Sequence, residues 1–214
     1  MIFNSREDAG ELLAQRLHRY KGKNPLVLGI PRGAVPMAKI IADALGGELD
    51  VVLVHKLGYP GQPELAIGAI DESGATFLAD YAAELEPEYL EAEKQAQLET
   101  IRRRRALYTP TRTPIDPHNR IVIVVDDGIA TGATMTTALR AVRAKKPKKL
   151  VGAVAVASPP AARAISRECD AMVCLDVPAE FYAVGQFFRD FSQVSDEDVV
   201  AILRQKEAKV SALG

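Results

Sequence analysis

Asp126 and Asp127 stand side by side after the β-branched run Ile121 to Val125, and Gly128-Ile129-Ala130-Thr131-Gly132-Ala133-Thr134 follows them. Two adjacent carboxylates can accept hydrogen bonds from a vicinal diol. Further on, Met135, Ala138, Leu139 and Val142 are spaced for one face of a helix, so the small-residue stretch leads into a helix N-terminus. Such a terminus offers unpaired N–H groups and a partial positive charge. Gly132, with Ala130 and Ala133 beside it, lets a phosphate come close to that backbone, and Thr131 and Thr134 add hydroxyl donors. One end of the pattern suits a phosphate and the other suits sugar hydroxyls; a ribose 5-phosphate unit satisfies both. No Gly-Lys-Ser/Thr follows, which excludes a Walker A loop, and the carboxylates precede the glycines, which excludes a dinucleotide fingerprint. The competing reading is a strand-end turn followed by an ordinary helix cap. It accounts for each part but not for their combination.

These residues need a scaffold, and the rest of the chain supplies one. The unbroken run 121–125 suits a strand buried on both faces of a parallel sheet. Pro25 to Ile30, Asp50 to Val54, Leu150 to Ala157 and Ala171 to Leu175 read as four more core strands. Helical patterns alternate with them, one carrying Val35, Ala38, Ala42 and Leu45 on a single face. The alternation predicts an α/β fold: a doubly wound, mostly parallel five-stranded sheet with flanking helices, in a single domain over 1–214. Open sheets of this kind bind ligands at the carboxyl ends of their strands.

Several further segments are legible. Ser5 to Tyr20 reads as an amphipathic packing helix, with Ser5 and Asp8 as an acidic capping box. His55 to Glu64 is rich in Gly and Pro and has no hydrophobic period, which predicts a long mobile loop at about 56–65. Residues 66–70 and 75–78 around Asp71–Gly74 read as a hairpin bordering it. A helical insertion covers about 80–108. Its helix, Pro87 to Tyr108, ends in Arg102–Arg105, a run that points in all directions and reads as a solvated helix end. Lys145–Lys149 reads as a solvated basic turn. Asp176 to Gln193, with Phe181, Tyr182, Phe187, Phe188 and Phe191, follows the last strand and can overhang the sheet's carboxyl edge as a small hood. Ser195 and Asp198 open a closing helix with Val199, Ile202 and Leu203 inward.

Composition narrows the classes. The chain has 214 residues, 48% hydrophobic and 26% charged, with a net charge of −1. No global basic field attracts nucleic acid or an anionic membrane. Cys169 and Cys174 have no metal-site spacing and read as free thiols, as in a reducing compartment. Neither a signal-peptide h-region nor a membrane-length apolar run is visible. The expectation is a cytoplasmic protein with neither membrane nor nucleic-acid partner. Oligomeric state stays open, a homodimer included.

The stretch VVDDGIATGAT resembles the PRPP (5-phosphoribosyl 1-pyrophosphate) signature of the type I phosphoribosyltransferases: apolar strand, two acids, a short spacer, then Thr-Gly-x-Thr. The whole chain also looks like a bacterial group of predicted phosphoribosyltransferases. The resemblance implies transfer of the 5-phosphoribosyl group from PRPP to a nitrogen acceptor such as a nucleobase, with release of pyrophosphate. It assigns the 5-phosphate to Ala130, Thr131, Gly132, Ala133 and Thr134, and the ribose hydroxyls to Asp126 and Asp127. Pyrophosphate falls to Arg32, Gly33 and Lys56, and Lys56 joins the two aspartates as a catalytic candidate. The acceptor falls to Phe181, Tyr182 and Asp176 in the hood. It also implies Mg²⁺ held largely by substrate and water, with Asp126 or Asp127 reaching its shell, and a loop that closes over the substrate. Ala130 and Ala133 stand where the 6-oxopurine enzymes carry an acid and a lysine. That weakens a hypoxanthine–guanine assignment and leaves adenine as a lead. No general base stands out; Glu64 and Asp176 are unsupported candidates. The rival readings are a regulatory module that binds PRPP or a nucleotide without turnover, and a hydrolase or phosphorylase acting on a ribose phosphate.

Overall fold

In chain order the elements are α1 (Arg6–Arg16), β1 (Leu26–Gly29), α2 (Val35–Leu45), β2 (Glu48–Val51), β3 (Val54–Tyr59), β4 (Gln62–Asp71), β5 (Thr76–Leu78), α3 (Pro87–Tyr108), β6 (Ile121–Ile129), α4 (Ala133–Ala144), β7 (Lys149–Ala157), α5 (Pro159–Ile165), β8 (Ala171–Asp176) and α6 (Asp196–Ser211). This computed structural model describes residues 1–211, without the side chains of 63, 64, 66, 80, 81 and 206–211.

The main sheet has five strands in the order β2-β1-β6-β7-β8, every neighbouring pair parallel. Counted among the parallel strands, this is the doubly wound order 2-1-3-4-5, which reverses direction between its first and third strands. That switch point lies between β1 and β6. Val122 to Val125 of β6 are fully buried, as an unbroken β-branched run requires. Their side chains alternate between two apolar clusters. Ile123 and Val125 join α1 and α2 on one face, while Val122 and Val124 join α4 and α5 on the other. The predicted face of α4 is the one that packs: Met135, Ala138, Leu139 and Val142 are all buried.

The structure departs from the sequence pattern in three places. First, β6 continues past the two aspartates to Ile129, which pairs with Ala157 of β7. Second, residues 56–65 are not irregular chain. β3 and β4 pair antiparallel around a Pro60-Gly61 turn, and β4 pairs with β5 in the hairpin expected around Asp71–Gly74. Register shifts on either side of Gly58 break the alternation that would reveal these strands in the sequence. Leu57, Ile67 and Ile70 are nonetheless buried. Helix α3 holds the irregularity: Gly58 N–H donates to Glu93 Oε1 at 3.0 Å, and Tyr89 OH donates to Gly58 O at 2.8 Å. Third, Arg105 of the arginine run turns inward. It donates to Asp50 Oδ1 at 2.8 Å and Glu72 Oε2 at 2.9 Å, whereas Arg102, Arg103 and Arg104 stay exposed.

The two ends of the chain meet over the sheet. Phe3 N–H donates to Phe187 O at 2.8 Å, Arg189 N–H to Phe3 O at 2.9 Å and Asp190 N–H to Asn4 O at 3.0 Å. Phe187 and Phe188 are buried by this pairing. Among the described residues no helix is long and apolar enough to cross a membrane.

Candidate active site

The turn after β1 meets the end of β6 at the switch point. A Cβ on Gly33 would stand 2.2 Å from Asp127 Oδ2, so any side chain there would displace the carboxylate. Asp127 Oδ2 accepts from Arg6 Nε at 2.8 Å. Among the described residues Asp127 Oδ1 meets no donor. The Asp127 N–H folds back onto Asp126 Oδ1 at 2.9 Å. Burial, followed by the neighbouring Asp127 carboxylate, pushes the Asp126 carboxyl well above the usual carboxylate range. The Asp126 carboxyl therefore holds on to its proton, and Arg6 is the cation that meets the Asp127 carboxylate.

Beyond the pair, Ala130 and Thr131 are exposed, and Gly132 takes a left-handed conformation with φ 82° as the N-cap of α4. The loop is held from the β7 side: Ser158 N–H donates to Ile129 O at 3.0 Å and Ser158 Oγ to Ala130 O at 2.6 Å. No side chain caps α4 and no acid lies in its first turn. The same is true of α2, which follows Arg32 and Gly33. The remaining helix that directly follows a strand of the main sheet, α5, is capped by Ser158. Thus the two helix N-termini left open toward an anion are those at the switch point.

Arg32 is half-exposed and lies 4.0 Å from Asp196 at the start of α6. Lys56 is exposed on β3. Tyr182 of the hood is 83% exposed, whereas Phe181 packs on Phe187 with ring centroids 5.2 Å apart. Asp176 meets the Met1 amino group. Glu64 has its side chain outside the described residues. The hood rests on the site strand itself, because a Cβ on Gly128 would come within 2.4 Å of Val184.

Arg6 is the residue that sequence reasoning misses. It sits at the first position of α1, is 8% exposed, and stacks its guanidinium 3.9 Å from the Phe191 ring centre. Nothing local marks it, since its partners lie far along the chain. A cavity of about 370 Å³ does exist elsewhere, lined by Asp50, Arg105, Ile115 and Val142 among others. The Asp50 charge there is met by Arg105 and Arg112, so the open chemistry stays at the switch point.

Comparison with known proteins places the chain in a family. The family model described as a phosphoribosyl transferase domain matches residues 2–190. The chain is 44% identical over 205 residues to "Putative phosphoribosyl transferase Rv0571c" of Mycobacterium tuberculosis, covering 94% of this chain and 46% of that protein. It thus spans about half the length of the curated relatives it matches. The crystal structure of TT1426 from Thermus thermophilus superposes with a TM-score of 0.86 at 45% identity, covering 96% of this chain and 99% of that one. By sequence and by fold, the chain belongs to the phosphoribosyl transferase domain family.

Proposed function

We propose that the protein transfers the 5-phosphoribosyl group of PRPP to a nitrogen acceptor, a nucleobase being the leading class, and releases pyrophosphate. One observation carries the reading: an acid pair at the end of the central strand lies between two uncapped helix N-termini. Two anions and a diol between them match the three polar parts of PRPP. Residues Ala130 to Thr134 cradle the 5-phosphate on the α4 terminus. Asp126 and Asp127 accept from the ribose hydroxyls. The Gly33 backbone, Arg32 and the α2 terminus face the pyrophosphate.

The bond from the anomeric carbon to the pyrophosphate oxygen breaks as a bond from that carbon to the acceptor nitrogen forms, and the nitrogen gives up its proton. Positive charge builds on the ribose as the leaving group departs, as in other glycosyl transfers. The chain's part is to position the reactants and stabilise charge. Among the described residues no cluster of three metal-ligating side chains occurs, while Arg6 meets only one oxygen of the Asp127 carboxylate. This fits a Mg²⁺ ion held mainly by substrate and water, with Asp126 or Asp127 at its shell, supplying charge neutralisation to the leaving group. The β3–β4 hairpin carries Lys56 and is the element suited to close over pyrophosphate and exclude water. Tyr182, with Phe181 beside it, is the aromatic surface offered to a base.

The test is pyrophosphate release from PRPP and Mg²⁺ across a panel of purine and pyrimidine bases, beside Asp127→Ala. Release that needs one base and is lost in the variant supports the transferase and names the acceptor. Mg²⁺-dependent PRPP binding without release from any base would replace it with a regulatory role.

A further inference from the structure

Arg6 is a buried cation at the positive end of a helix, where a cation is disfavoured. Three contacts repay that placement. Its Nε donates to Asp127 Oδ2 at 2.8 Å, its Nη1 donates to Ser192 O at 2.7 Å, and its Cζ lies over the Phe191 ring, 3.9 Å from the ring centre. The first partner is one half of the acid pair, and the other two belong to the end of the hood. A rigid planar fork that grips both at once transmits a shift of either to the other. Phe191 in turn packs on Phe188 with centroids 5.1 Å apart, and Phe188 on Phe3 at 5.3 Å. The link therefore runs from the carboxylate into the body of the hood.

The geometry points to Arg6 as a positioning residue that joins the Asp127 carboxylate to the acceptor-side hood, so that a sugar held at Asp127 fixes the hood for the acceptor. The inference rests on reading Asp127 as the ribose-binding group. Its chemistry is specific to arginine. A lysine ammonium keeps the charge but cannot hold the carboxylate and the Ser192 carbonyl in one fixed plane, nor lie flat on the ring.

Hydrogen exchange of the backbone amides at 186–193 tests the link without ligand. Arg6→Met and Asp127→Asn should each speed that exchange about tenfold, and the double variant should be no faster than the faster single one. Hood exchange in Asp127→Asn at the wild-type rate would overturn the inference. Should Asp127→Asn fail to fold, Phe191→Leu with Arg6→Lys replaces it, with the same non-additivity expected. The second readout adds PRPP and Mg²⁺. Wild-type hood amides should slow several-fold. In Arg6→Met the amides at 131–135 should still be protected by the phosphate while the hood no longer responds. In turnover the acceptor KM should rise more than the PRPP KM, and Arg6→Lys should restore PRPP affinity without restoring the hood response. A merely structural Arg6 would loosen α1 and the hood alike and leave the response to PRPP intact, which also overturns the inference. If PRPP protects no amide at 131–135 in the wild type, the ribose reading fails, and the free-protein comparison still decides the link.

Discussion

Two clusters of buried acid and arginine lie on the same sheet, and they are balanced in opposite senses. Near the end of β2, one carboxylate faces two guanidinium groups. Asp50 Oδ1 accepts from Arg105 Nη1 and Val51 N–H, both at 2.8 Å, and Oδ2 accepts from Arg112 Nη1 at 2.9 Å and Ile115 N–H at 3.0 Å. Burial pushes the Asp50 carboxyl up, but Arg105 and Arg112 outweigh it and leave the group below its ordinary value. At the end of β6, two carboxylates face one guanidinium, and Asp126 moves the other way. Burial alone therefore does not set the direction in which a carboxyl moves; the completeness of its partners does. Asp50 has spent its charge on the fold, tying β2 to α3 and to the chain that leads into β6. At the β6 pair Arg6 meets Asp127 Oδ2 alone, and Oδ1 has no donor among the described residues.

The sharpest way to break this contrast is to remove one acid from each cluster. Asp50→Ala leaves Arg105 and Arg112 uncompensated and should cost about 3–5 kcal/mol in urea unfolding, with turnover per folded molecule unchanged. Asp127→Ala should instead lower pyrophosphate release about a hundredfold or more. Equal behaviour of the two would erase the distinction. Gly33→Ala comes next. Its Cβ would collide with Asp127 Oδ2, so the carboxylate must move, and PRPP turnover should fall between about tenfold and a hundredfold with the fold retained by circular dichroism.

A smaller effect separates the clusters by sign of pH dependence. The folded Asp126 carboxyl keeps its proton above 3.8, where the unfolded group has lost it. Stability should therefore fall as pH rises from 3.8 toward the raised folded value, by at most about 1.4 kcal/mol per pH unit. Asp126→Asn should flatten that slope. Asp50 is lowered, so its contribution is complete above 3.8 and is lost as pH falls through its folded value. Asp50→Asn should remove that acid-side loss. The smallest expected change is Tyr182→Ala, which should leave stability within about 0.5 kcal/mol while raising the acceptor KM. A large loss of stability would move Tyr182 from the site into the packing.

What the sequence reveals here is local. The run 121–125, the glycine at 132 and the helical spacing from Met135 are contiguous, so strand, turn and helix could be read together, and the parallel α/β order followed from their repetition. What it hides is carried by distant pairs. Arg6 and Asp127 are 121 residues apart, and Arg105 and Asp50 are 55 apart. An arginine gives no sign of whether it points to water or to a carboxylate that arrives from elsewhere. The hairpin at 54–71 was hidden for another reason: its register shifts around Gly58 destroy the period-two signal, and α3 supplies the hydrogen bonds that the sheet does not. The aromatic hood was legible as a segment but not residue by residue, since composition does not say that Phe188 packs inward while Tyr182 faces solvent.

The meeting of residues 3–6 with 187–192 also sets when this protein can become competent. Arg6 and Ser192 are 186 residues apart. During synthesis the first helix leaves the ribosome long before its partner exists, and chains emerge at about 5–20 residues per second. A nascent chain can complete its central strands and glycine turn while Arg6 still has no ring to lie on and no carbonyl to grip. These contacts therefore form late, and a chain cut short before residue 191 would carry the run 121–134 without them.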